Sequence, residues 1–439
     1  MKLFIDKLFK SSFVKNVAIM ATGTAGAQAL NMILSPIITR LYGPEAFGVL
    51  STFVALTSVI IPIAALSYPI AIVLPKNDKN AKRLIRLSLL ITLIMAVITM
   101  VILLFCNHNI VEIFQVQEIG TYLYLIPLVI LFAGFKQVAE QWLLRTNQFS
   151  SNAKANFLQS LITNVGKVGI GFVYPAAVVL VVLQTMGNGI KALMMIIFAR
   201  GSNYRRTTDD YNESLLSVKE LAKKHIDFPL YRAPETFISA FTQNLPVLLL
   251  TSLFGPASAG FYNIGRTVLE LPSRFIGKSI GDVFYPRISK AANSGENLNI
   301  LIKRATLALG GLGIIPFGLV ILFGPWLFEF VFGTGWAVSG EYARWIALLS
   351  YLIFMNKPSI RSMPVLNAQR FHLIFTVSAL VIQSLGLLLG FVVFKSDIVA
   401  IALFGILGAL SHICFILITL NLSQKFSKKV NYDSSIGNV

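Results

Sequence analysis

The sequence predicts an all-α, polytopic membrane protein of about 12 transmembrane helices arranged as two parallel six-helix halves. Three observations carry that expectation. The 439 residues are 55% hydrophobic and only 13% charged, with a mean hydropathy of +0.73; an ordinary soluble chain has roughly twice that share of charge. Apolar stretches recur from Val17 to Leu420. A ten-residue pattern also returns after about half the chain. A DNA-binding protein, a secreted disulfide scaffold and a cytosolic enzyme are all poor fits to this composition.

In chain order, Lys2, Lys7, Lys10 and Lys15 precede an apolar stretch containing Ala25-Gly26-Ala27, the outline of a signal peptide. Because apolar spans continue to the far end, this stretch reads as an uncleaved first transmembrane helix. Phe4, Ile5, Leu8 and Phe9 interleave with the lysines, which predicts a surface-lying amphipathic helix over residues 1–15. Spans of ~20 apolar residues fall at roughly 17–40, 47–74, 84–106, 119–136, 155–175 and 176–199. The second set falls at roughly 228–254, 257–286, 303–324, 341–356, 371–394 and 398–420. The expected organisation is a six-helix bundle over 1–199, a cytoplasmic linker over 200–227, a second bundle over 228–420 and a cytoplasmic tail over 421–439.

Charge placement orients these spans. The chain carries a net charge of +18, and 28 of its 37 Lys/Arg fall in 1–16, 76–86, 136–154, 200–224, 287–304, 357–370 and 425–429. These segments alternate with connections that hold Glu45, Glu112, Glu118, Glu329, Glu341 and Asp397, where Lys395 is the clear basic exception. The positive-inside rule therefore puts both termini in the cytoplasm of a cell inner (plasma) membrane protein. The bulk charge marks topology and needs no nucleic acid; clusters such as Lys82, Arg83 and Arg86 also suit anionic headgroups of the lipid bilayer. Cys106 and Cys414 read as small apolar packing residues. The four histidines show no metal-ligand spacing, so neither metal nor cofactor is expected.

The repeat pairs Thr39-Arg40-Leu41-Tyr42-Gly43-Pro44-Glu45-Ala46-Phe47-Gly48 with Thr251-Ser252-Leu253-Phe254-Gly255-Pro256-Ala257-Ser258-Ala259-Gly260, 212 residues on. Gly-Pro ends one helix and opens the next. Six spans separate the copies, so the halves run parallel, a secondary-transporter plan with the substrate path between them.

Charges inside spans are costly and face water or one another. Seven basic residues are singled out, Arg40, Lys167, Lys191, Arg232, Arg266, Arg274 and Lys278, against the acids Glu235, Glu270 and Asp282. Arg266, Glu270, Arg274, Lys278 and Asp282 recur every four residues, a helical ridge able to form i,i+4 pairs. Two readings stand: mutual neutralisation that fixes helix packing, and a cationic cavity for an anionic substrate. Lys167 and Lys191 have no nearby acid in sequence and fit the second better. Glu270, Glu235 and Asp282 are the candidates for ion coupling. Gln28 and Asn31, with Gly23, Gly26, Ser35 and Pro36, suit a kinked cavity-lining first helix, or small-residue helix packing.

With these residues in place, the chain resembles the Wzx-type O-antigen flippases of the polysaccharide transporter family, in the superfamily of the MATE exporters. The resemblance rests on Ala27-Gln28, Pro36, Arg40 to Gly48, and Ala71-Ile72-Val73-Leu74-Pro75-Lys76. It continues in Leu253-Phe254-Gly255-Pro256, Gly260-Phe261-Tyr262, Val283-Phe284-Tyr285-Pro286-Arg287, Phe332-Gly333 with Trp336, and Gly340-Glu341-Tyr342. Where many relatives carry an Arg-Tyr-Glu-type sequence, this chain has Ser67-Tyr68-Pro69. The resemblance implies translocation of an undecaprenyl-pyrophosphate-linked oligosaccharide, an O-antigen or related lipopolysaccharide repeat unit, by alternating access through a cationic central cavity. It implies a transporter and not an enzyme; a polysaccharide polymerase and its chain-length machinery are candidate partners, and a carrier that works alone is the alternative. The rival readings are a multidrug or other small-molecule exporter of the same fold, and a membrane polymerase or ligase. An exporter of cationic drugs would favour an acidic cavity. A polymerase would carry a large periplasmic domain, whereas no outward connection here exceeds about twenty residues.

Overall fold

The computed structural model describes residues 12–114, 117–200, 215–273, 278–294 and 296–436. Among them the chain is helical almost throughout and has no strand. The helices are α1 Ser12–Ile60, α2 Asp78–Phe114, α3 Ile126–Arg145, α4 Phe149–Gly171, α5 Ala177–Arg200, α6 Val218–Lys224 and α7 Ala233–Phe254. They continue as α8 Pro256–Pro272, α9 Lys278–Asn293, α10 Leu298–Phe332, α11 Ala337–Met355, α12 Lys357–Ser362, α13 Gln369–Val392 and α14 Asp397–Ile436. Eight helical segments among the described residues are long and apolar enough to cross a membrane, and the first, Thr22–Ile63, holds two of the expected spans. The stretches that fall short are α4, α8 with α9, and α11. Polar or charged side chains interrupt α4 and the first half of α11, and α8 and α9, of 17 and 16 residues, are each short for a crossing.

Exposed apolar residues show how these helices meet their surroundings. On α2, Leu90, Leu93, Ile94, Val97, Ile98, Val101, Leu104 and Phe105 are all exposed. Their three-to-four-residue spacing makes one continuous helix face. In water such a face would drive aggregation; in a bilayer the acyl chains cover it. The chain is a multi-pass membrane protein. Cys106 and Cys414 are free and exposed, so the expectation that they pack internally is corrected: both sit on long apolar helices with their surfaces outward.

Close contacts divide the chain into two compact units, 1–257 and 258–439. In the first, α1 packs along α4, α3 packs on α2 and α5, and α7 packs on α1. The seventh expected span thus belongs with the first unit's helices. Its core gathers Val49, Phe53, Ala96, Leu123, Ile130 and Val181. In the second unit α10 pairs with α11, and α14 lies against α11 and α13. Phe261 there meets Trp336 and Tyr342 edge-on, and the Tyr342 hydroxyl donates to Asp397 Oδ2 at 2.5 Å.

Both Gly-Pro corners of the repeat take the same backbone path. Gly43 has φ 70° and ψ 174°, and Gly255 has φ 88° and ψ 171°. This region is nearly closed to any residue with a Cβ, so glycine is required at both. The corners also touch: a Cβ on Gly48 would lie 1.9 Å from the Pro256 carbonyl oxygen, and the Thr52 and Thr251 hydroxyls are 2.6 Å apart.

Two expected spans differ in outline. The second ends as an α-helix at Ile60 and continues in 3₁₀ turns at Ile61–Ile63 and Tyr68–Val73. Pro62 and Pro69 open these turns by removing helix donors. The fourth runs on past residue 136 to Arg145. There the Arg145 guanidinium donates to the carbonyls of Ile72 and Pro75, at 3.2 and 2.6 Å, and pairs with Asp78 at 3.0 Å. The Ala71-Ile72-Val73-Leu74-Pro75 motif is therefore a frayed helix end whose orphan carbonyls one arginine satisfies.

Candidate functional site

Helix α4 carries one apolar, exposed face with Phe157, Ile162, Val165 and Ile170, and one polar face. Gln159, Ser160, Thr163, Asn164 and Lys167 recur three to four residues apart, which sets them on one face. That face meets α1 and α5. The Ser160 hydroxyl donates to Asn31 Oδ1 at 2.7 Å and the Asn164 amide donates to the same oxygen at 2.5 Å. Asn164 also donates to the Ser160 carbonyl at 2.7 Å, so the buried Asn164 amide has its donors engaged. Lys167 Nζ reaches Gln184 Oε1 on α5 at 3.3 Å, while the Lys167 carbonyl accepts from the Tyr42 hydroxyl at 2.7 Å. Tyr42 immediately precedes the Gly43 corner, so the kink in α1 and the position of Lys167 are mechanically joined.

These side chains enclose a cavity of about 360 Å³ in the first unit, lined chiefly by Asn31, Ser35, Gln159, Asn164, Lys167 and Gln184. Its polar lining is amide, hydroxyl and ammonium, with no carboxylate among the lining residues. Such a lining offers hydrogen-bond donors and a positive charge, which suits an anionic or polyhydroxylated ligand. Hard cations prefer several oxygen ligands with carboxylates among them. Among the described residues no group of three or more His, Cys, Asp or Glu could hold a metal ion.

The other residues singled out from the sequence are distributed differently. Asn31 joins Lys167 in the cavity, whereas Gln28 is half-buried on α1 and outside that lining. Lys191 is half-buried on α5 and makes no hydrogen bond or ion pair among the described residues. Arg232 and Glu235 pair with each other at 2.5 Å, both exposed, beside an apolar pocket of about 350 Å³ that includes Phe228 and Tyr231. Arg266 and Glu270 pair at 2.7 Å on α8, each about one-third exposed. Arg40 is exposed near the Gly43 corner. Arg274 lies outside the described residues, as do the side chains of Lys278 and Asp282 and all of residues 1–11. The expected ridge from Arg266 to Asp282 falls on two helices, α8 ending at Pro272 and α9 starting at Lys278.

Several functional candidates escape a reading of charges alone. Gln159, Ser160, Asn164 and Gln184 are neutral, and only their helical spacing within an apolar stretch marks them. Lys136 falls where the expected span 119–136 meets the basic segment 136–154, yet it lies inside the apolar segment Tyr122–Arg145. Its Nζ donates to Asn188 Oδ1 on α5 at 3.0 Å. Arg344 on α11, inside the expected span 341–356, is a further cation, paired with Glu341 at 3.2 Å and donating to the Ile321 carbonyl at 2.9 Å.

Comparison with known proteins gives a family and a fold. Residues 37–341 match the family model described as polysaccharide biosynthesis protein. No curated protein matches. Among solved structures the chain is similar to a multidrug-resistance MATE-family transporter of the MOP superfamily in an inward-facing conformation, with a TM-score of 0.71 at 14% identity over 92% of this chain and 99% of that one. It is also similar to the lipid II flippase MurJ in an inward closed conformation, with a TM-score of 0.64 at 14% identity over 93% of this chain and 90% of that one. A MOP-superfamily transporter from Pyrococcus furiosus, described as having a binding pocket of reversed polarity, gives a TM-score of 0.56 at 14% identity over 96% and 98% of the two chains. At this identity the likeness is one of fold.

Proposed function

Because the chain belongs to the polysaccharide biosynthesis protein family, we propose that it is a flippase. Its cargo is an undecaprenyl-pyrophosphate-linked oligosaccharide, an O-antigen or related surface-polysaccharide unit, moved from the cytoplasmic to the periplasmic leaflet by alternating access. The observation that carries this reading is Lys167 in a cavity of amides and hydroxyls without a carboxylate. An ammonium in low-dielectric surroundings favours an anionic partner, and amides and hydroxyls are the groups that exchange hydrogen bonds with sugars. The same lining speaks against a multidrug exporter, because cationic drugs would call for acidic partners. The reading is transport and involves no catalytic residue.

In this account Lys167 and Lys191 bind the anionic part of the cargo, with Arg40, Arg274 and Lys278 as further cationic contacts. Arg232 and Arg266 already hold Glu235 and Glu270. Either pair contributes to substrate binding or ion coupling only by exchanging partners; Asp282 is the remaining coupling candidate. Both termini face the cytoplasm of the inner membrane, and a polysaccharide polymerase with its chain-length machinery takes the product.

The test is replacement of Lys167 by Ala in a strain whose surface polysaccharide depends on this protein. Loss of a charge-assisted contact lowers export by about tenfold or more, with protein abundance unchanged. Normal surface polysaccharide in that variant contradicts the assignment.

A further inference from the structure

One face of α5 carries more than the cavity described above. Gln184, Asn188 and Lys191 are four and three residues apart, so they stack along a single helix face about 6 and 4.5 Å apart in rise. A lysine from a different neighbouring helix docks on each amide: Lys167 of α4 on Gln184 at 3.3 Å, and Lys136 of α3 on Asn188 at 3.0 Å. Lys136 and Lys191 lie within electrostatic reach of one another, and the acid acting on Lys136 is Glu140, one turn further along α3. Lys136 and Lys191 are both half-buried, in helices whose apolar segments are Tyr122–Arg145 and Ala177–Ala199. Lys136 and Lys191, with the one carboxylate of Glu140 acting on Lys136, leave a net positive charge inside the apolar slab. That arrangement is costly unless an anion completes it.

We infer that Lys136, Asn188 and Lys191 form a second anion station, adjoining Lys167 and Gln184 along α5, and that the two stations together hold a diphosphate. A ligand with several negative charges along its length can engage lysines from both stations, where a single-charge anion satisfies one. The inference rests on the flippase reading and extends it to a residue that the pattern of apolar stretches places at the very edge of a span.

The test measures binding of inorganic pyrophosphate to the purified full-length protein in phosphatidylcholine nanodiscs by calorimetry. The wild type binds, Lys136→Gln binds about tenfold more weakly, and Lys136→Arg stays close to wild type. Unchanged affinity in Lys136→Gln, with Lys167→Gln impaired, overturns the second station and leaves the flippase reading standing. Absence of binding in the wild type overturns both. If Lys136→Gln does not elute as a single folded species, Lys191→Gln reads the same station: a tenfold loss supports it and no loss overturns it. In phosphatidylglycerol nanodiscs an unchanged pyrophosphate affinity supports a diphosphate ligand. Loss of binding there means that bilayer headgroups occupy the lysines, and overturns the assignment.

Discussion

A lysine inside a bilayer is tolerated only where something shares its charge, and Lys167 and Lys136 show two degrees of legibility in sequence. Lys167 stands out because the apolar stretch runs on both sides of it. Lys136 does not, because an apolar stretch that meets a lysine reads as ending there; only the helix-compatible run Gln137 to Leu144 shows that it continues to Arg145. Gln184 and Asn188 are neutral and leave no mark on a charge count, yet they accept from the ammonium groups of Lys167 and Lys136. At this scale the Gly255 corner makes a clean prediction. Nothing lies within 4 Å of a Cβ built there, and its φ is +88°. Gly255→Ala therefore tests backbone strain alone, with an expected loss of about 1–3 kcal/mol, read as a lowered unfolding temperature in detergent. A variant as stable as the wild type would show that the turn relaxes to another conformation.

At the scale of elements, helices of uniform apolar character are legible in sequence, and those rich in polar or charged residues are less so. The short α6 is an example: it lay hidden in a charged linker. Ser217 accepts from the Glu220 amide and Glu220 accepts from the Ser217 amide, a capping box that starts the helix. Leu221 buries among Tyr68, Leu84 and Leu87, and Arg83 donates to the Leu216 carbonyl at 2.5 Å, so the segment is strapped to α2. The corresponding feature of the second unit is the link between α9 and α10, where Arg287 pairs with Glu296 at 2.6 Å. Hydrogen bonding to Arg287 holds the Glu296 carboxyl below its usual value of 4.5. A depressed folded value means that the pair's stabilisation is present above the ordinary glutamate range and fades as the pH falls through it. Thermal unfolding followed from pH 6 down to about pH 3 should therefore decline less steeply in Glu296→Gln than in the wild type. Identical profiles would show that the pair adds nothing, as exposed pairs often do.

For the whole molecule, the all-α polytopic architecture was legible because apolar stretches and basic edges alternate along the entire chain. The repeat was legible because Gly43 and Gly255 must both be glycine for one physical reason. The site was half legible: its cations follow from composition, while its amides and the α3 lysine follow only from helix packing. The central claim is that a cationic, carboxylate-free cavity moves a diphosphate-linked sugar lipid. It is tested most directly by reconstituting the purified protein into liposomes and following translocation of undecaprenyl-pyrophosphate-linked oligosaccharide to the opposite leaflet. The account predicts translocation above that of protein-free liposomes, reduced about tenfold or more by Lys167→Ala. Liposomes in which the lipid-linked sugar stays put while a cationic dye is transported would contradict it.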